Sequence, residues 1–146
     1  MHQTMSLGLL LALPLLLAQE PAPASVEAGV KAIELLIENQ AEDYEVGQAL
    51  MALARLEDPE AAEAISEMLD DFSGQLREAG IIAIGNCLHD NRFKLLGEIV
   101  EKSKQLPDRI AAARTLIKAE EGRAWLVKRF KKLKDSQVQA LLIGSL

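Results

Sequence analysis

The chain has 146 residues and one cysteine, enough for a single domain with a moderate core and too few thiols for an internal disulfide. Apolar residues make up 49% and aromatics only 3%, so Ala, Leu, Ile and Val must build the core; that mix favours closely packed helices over a β-sandwich. A net charge of −6 gives no overall drive towards nucleic acid.

Residues 7–18 (LGLLLALPLLLA) form an uncharged, mostly apolar run. It is shorter than the roughly twenty residues a spanning helix needs. Its length suits the apolar region of a cleaved secretory signal, with the cut after Ala18 or at Ala22-Pro23-Ala24, although MHQTMS before it holds no Lys or Arg. An uncleaved anchor and a buried helix are the alternatives, and Pro14 argues against the second. No cysteine follows the run, which excludes a lipoprotein anchor. Residues 1–24 are therefore read as signal and spacer, and 25–146 as the mature domain. The expected location is periplasmic or extracellular, with no stable membrane span after cleavage.

Residues 26–39 read as an amphipathic helix capped by Ser25, with Val26, Gly29, Val30, Ile33, Leu36 and Ile37 on one stripe. The next stretch sets the pattern for the rest. YEVGQALMALARL, then EDPE, then AAEAISEMLDD reads as a helix, a tight turn and a second helix. In the turn Asp58 can cap, Pro59 suits a first helical position and Glu60 suits the positive helix end. Thirty-one or thirty-two positions later the pattern returns. Leu53 becomes Ile84, Asp58 becomes Asp90, and Ala62, Ile65, Met68 and Leu69 become Phe93, Leu96, Ile99 and Val100. A third copy starts at Pro107, with Ile110, Ala113, Leu116 and Ile117 on its first helix. Its turn is placed at 120–122, and Leu126, Val127, Phe130 and Leu133 follow on its second helix. The repeats span about 44–72, 73–105 and 106–135, with a partial one at 136–146. In that last segment Val138, Leu141, Leu142 and Leu146 make an apolar face with no second helix to cover it. It is expected to fray, to pair with another chain or to continue in a longer protein. Ala52, Ala54, Ala83, Gly85 and Ala113 are small where helices must approach closely, and Gly80 and Gly85 need a packing reason inside a helix. A helix–turn–helix unit at this period is the mark of an α-solenoid.

The repeats resemble the HEAT-like repeats of the phycobilisome-lyase type. The resemblance is carried best by Ala52-Leu53-Ala54-Arg55-Leu56-Glu57-Asp58-Pro59-Glu60-Ala61, and next by the segment 83–90 (AIGNCLHD), which has one extra residue. It covers about 44–146. It implies an all-α, right-handed α-α superhelix of about three helix pairs plus flanking helices, with the first helices outside and the second helices lining a concave side. Because repeats of this family serve unrelated proteins, the resemblance speaks to fold more than to activity.

Little in the chain points to catalysis. Cys87 and His89 are two positions apart, which on a helix sets them about 200° apart and separates thiol from base. Cys87 reads as a buried thiol and His89 as a helix-end residue. Two histidines and one cysteine make no metal cluster of usual spacing, and the pairs Glu42-Asp43 and Asp70-Asp71 read as solvated helix ends rather than calcium ligands. No Lys-Ser or Lys-Thr follows Gly80 or Gly85, so neither starts a phosphate loop. No catalytic, cofactor-binding or metal-binding residue is assigned, and no cofactor is expected.

Charge is the feature left over. Residues 26–72 carry 13 acidic and 2 basic side chains; residues 73–146 carry 14 basic and 8 acidic. The second helices run from acidic (Glu60, Glu63, Glu67) to basic (Arg123, Lys128, Lys131, Lys132), with Trp125 as either a binding anchor or a packed residue. Two solvated faces without a partner would look the same. The expected function is a non-catalytic interaction or scaffold module binding a protein partner along that gradient. One alternative is a lyase-type or chaperone-like subunit assisting a cofactor-bearing protein. Another is nucleic-acid binding through the basic helix 123–134, against which the scarcity of aromatic stacking platforms counts.

Overall fold

The computed structural model describes residues 21–146, so the apolar run at 7–18 read as an export signal lies outside the described residues. The all-helical expectation holds. Among the described residues there are eight α-helices and no strand: α1 (Val26–Glu38), α2 (Asp43–Ala54), α3 (Glu60–Met68), α4 (Gly74–Asn86), α5 (Asn91–Lys102), α6 (Leu106–Ile117), α7 (Glu120–Arg129) and α8 (Ser136–Ser145). Short 3-10 turns, Leu69–Asp71 and Phe130–Lys132, extend α3 and α7. None of these helices is long and apolar enough to cross a membrane.

The helix ends follow their local chemistry. Ser25 Oγ accepts from the Ala28 N–H at 3.1 Å, and Asp58 Oδ1 accepts from the Glu60 N–H at 2.9 Å. Glu42 and Glu45 form a reciprocal capping box at the start of α2. At its far end α1 closes through Gln40, whose φ of 56° is left-handed, with the Ala41 N–H reaching back to the Leu36 carbonyl at 2.9 Å.

Helices α2, α4, α6 and α8 pack one on the next, as do α1, α3, α5 and α7, and each helix also touches its neighbour in the chain. One apolar core runs through this arrangement. Leu53 and Ile84 are both fully buried in it, along with Ala54, Ala83, Ala112 and Ala113. The two interior glycines have the packing reason expected of them. At Gly80 a methyl group would meet Leu69, and at Gly85 it would meet Thr115.

Three local expectations need correction. The turn placed at 120–122 lies earlier: α7 already begins at Glu120, and Gly122 in its first turn sits tight against the Leu116 carbonyl. Val127 was expected in the core and is 49% exposed. Successive helix positions are about 100° apart, so Leu126, fully buried, takes the core direction and Val127 cannot share it. Ile37, placed on the apolar stripe of α1, is exposed as well, in the last turn of that helix.

A repeated polar clasp ties the later helices together, and the sequence reading missed it. The fourth residue of α4 is Arg77. Its guanidinium donates to the Leu69 carbonyl at the end of α3 and to Asp108 of α6, both at 2.6 Å. Asp108 is only 5% exposed and also accepts from Ser103 Oγ at 3.1 Å. The fourth residue of α6 is Arg109, which donates to the Ser103 carbonyl after α5 at 2.7 Å and to Asp135 at 3.0 Å. The fourth residue of α8 is Gln139, which donates to the Leu133 carbonyl after α7 at 2.7 Å.

Candidate partner-binding surface

The acidic candidates share one stripe. Glu60, Glu63 and Glu67 are exposed on α3, at spacings of three and four that keep them on one face, while Ala61, Ala62 and Ile65 turn into the core. Glu60 and Glu63 lie in the first turn, where the helix dipole favours negative charge.

The basic candidates divide into two groups. Lys128, Lys131 and Lys132 are exposed and form no ion pair among the described residues. Arg123 and Trp125 are instead occupied inside the fold. Arg123 is half-buried and donates to the Ile117 carbonyl at 3.2 Å. Trp125 lies against Gly97 of α5, where only the missing Cβ leaves room for the indole. The Arg129 guanidinium stacks over the Trp125 ring at 4.7 Å and pairs with Glu101 of α5 at 2.7 Å. The tryptophan thus helps lock α7 to α5, the packed alternative of its two sequence readings. Helix α5 lies between the two charged sets: it contacts both α3 and α7 and carries Lys94, Glu98, Glu101 and Lys102.

Cys87 and His89 do not form a reactive pair. Helix α4 ends at Asn86 and Cys87 is extended, with φ −62° and ψ 153°, so the helical geometry expected for the two residues does not apply. The thiol is 2% exposed and donates to the Ala83 carbonyl at 3.5 Å, whereas His89 is exposed. Burial pushes the Cys87 thiol from about 9 up to about 11, with the nearby Arg92 charge pulling the other way. It is a thiol, not a thiolate nucleophile, at neutral pH. No cluster of three His, Cys, Asp or Glu able to hold a metal occurs among the described residues.

Two concavities border the basic end. A cleft of about 350 Å³ between the end of α5 and the start of α8 is lined by Val100, Glu101, Arg109, Lys132, Asp135 and Val138. A shallow groove of about 750 Å³ runs between α6 and α8 and is mostly apolar, with Ile110, Ile117, Ala140 and Leu141 in its wall. No family model, no curated protein and no solved structure matches this chain.

Proposed function

We propose that the chain is an exported, non-catalytic interaction module, a HEAT-like right-handed solenoid that binds a protein partner along its α3–α5–α7 row. One observation carries this reading: the exposed charges change sign along a row of successively packed helices, from Glu60, Glu63 and Glu67 on α3 to Lys128, Lys131 and Lys132 at the end of α7. The three lysines have no internal partner among the described residues, so they remain available for one outside. A polarised row of this kind steers a partner of opposite polarity and fixes its direction more than it adds affinity. Exposed charges are screened over about 8 Å at physiological salt, so the steering must weaken as salt rises.

The test takes the partner captured from the extracytoplasmic fraction and follows its association by stopped flow across a salt series. The rate should fall with salt and fall further with Lys128→Gln, Lys131→Gln and Lys132→Gln combined. An unchanged rate for that triple variant at every salt concentration would defeat the reading.

A further inference from the structure

We infer that copies of this chain associate head to tail, the α7–α8 end of one docking on the α1–α2 end of the next. The inference goes beyond the docking role proposed above: the partner here is a second copy of the chain, and it meets the two ends rather than the α3–α5–α7 row.

The first observation is where apolar surface is left over. Seven large hydrophobic side chains are exposed among the described residues, and only Leu88 lies in the middle. At the head Leu35 is 56% exposed, Ile37 44% and Tyr44 66%. At the tail Val127 is 49% exposed, Ile143 61% and Leu146 82%. Leu35 stands two positions from the fully buried Ile33, about 200° around α1, and so faces away from the helices that α1 covers. Among the described residues α1 packs on α2 and α3, and α8 on α6 and α7.

The second observation is independent of the first. Residues 26–54 hold six acidic side chains and one basic, while residues 120–146 hold six basic and three acidic. Two heads repel and two tails repel; only head against tail attracts. Charge thus disfavours both isologous pairings and leaves the heterologous contact, which builds open chains or rings rather than a closed two-fold dimer. Val127 sits on the basic end itself, one turn from Arg123 and one turn from Lys131, so the apolar and the charged contact coincide.

Sedimentation velocity on the full chain, over a concentration series at two salt levels, tests this. The average mass should grow past two copies with concentration and shrink at high salt. A tail variant (Lys128→Glu, Lys131→Glu, Lys132→Glu) and a head variant (Glu34→Lys, Glu38→Lys) should each associate about tenfold more weakly or worse. Mixed together they should regain the association, because the reversed tail now fits the reversed head. Circular dichroism on each variant checks that the helices persist. A monomer at every concentration overturns the inference, and so does mass that stops at two copies. Association untouched by either reversal, or a mixture that regains nothing, overturns it too. Failure here leaves the charged row standing if a different captured partner still binds it with salt-dependent rates.

Discussion

The first junction of the molecule and the later ones solve one packing problem by different chemistry. Where α4 packs on α6, the fourth residue of α4 is Arg77 and the third of α6 is Asp108, a part-buried ion pair at 2.6 Å. Where α2 packs on α4, the same two positions hold Val46, buried in the apolar core, and Leu76, partly buried against it. Replacing a buried ion pair by apolar residues of suitable volume is often neutral or stabilising, whereas removing one partner alone is costly. The clasp therefore need not be what makes the later junctions stable. What it adds is direction: Arg77 reads the end of α3 and the start of α6 at once, which fixes how the helices register.

The largest expected effect breaks the comparison from one side. Asp108→Ala leaves the Arg77 guanidinium, only 20% exposed, without its counter-charge. It should cost about 3–5 kcal/mol. The paired replacement Arg77→Val with Asp108→Leu imports the first junction's solution and should recover most of that loss. Urea unfolding of the three proteins decides the point. If the double variant is no more stable than Asp108→Ala alone, the two junctions are not interchangeable and the clasp contributes more than register.

The next effect asks whether the two regions share one core. Leu53 of α2 and Ile84 of α4 are both fully buried at matching places in their helices. Truncating either to Ala should cost about 2–4 kcal/mol through lost contacts and a cavity. Glu63→Gln, on the exposed face of α3, should stay within about 0.5 kcal/mol. A loss at Leu53 with none at Ile84 would show that α4 can collapse around a cavity where α2 cannot.

How far the sequence announced all this depends on the kind of signal. The helices and their buried faces were legible because apolar spacing, Ser25, Asp58 and Pro59 act locally, and local rules suffice for them. Val127 is hard to place from sequence because it stands next to Leu126, and apolar letters alone do not say which of two neighbours takes the core direction. The clasp was missed although Arg77 and Arg109 stand thirty-two positions apart, the repeat's own period. A repeated arginine carries no hydrophobic signal, and a search for the core passes over it. The charged row lies between these cases. Its composition was visible, but the engagement of Arg123 and Trp125 within the fold came only from tertiary contacts that no spacing encodes.

The smallest effect is a difference in acid sensitivity between the two regions. Asp135 caps α8 and receives Arg109; the Arg109 hydrogen bond, helped by the Gln137 and Val138 N–H groups, holds its carboxyl below the usual range despite some desolvation. Its folded pKa is thus depressed. The stabilisation it gives is complete above the unfolded carboxylate value of about 3.9 and is lost as pH falls through the lower folded value. Overall charge acts in the same direction. Protonating the 13 acidic residues of the region 26–72 relieves their mutual repulsion, whereas protonating the 8 in the region 73–146 leaves 14 basic residues unopposed. At the junction of α2 with α4 the corresponding positions hold Val46 and Leu76, which carry no charge. Hydrogen exchange between pH 5 and pH 2 should therefore show α8 and its contact with α6 losing protection before α2 and its contact with α4. In Asp135→Asn part of the loss at α8 should already be present at pH 5, so that the further fall below it is smaller. Equal loss in both regions, or an α8 step that persists unchanged in Asp135→Asn, would mean that the apolar junction and the clasped one respond to acid alike.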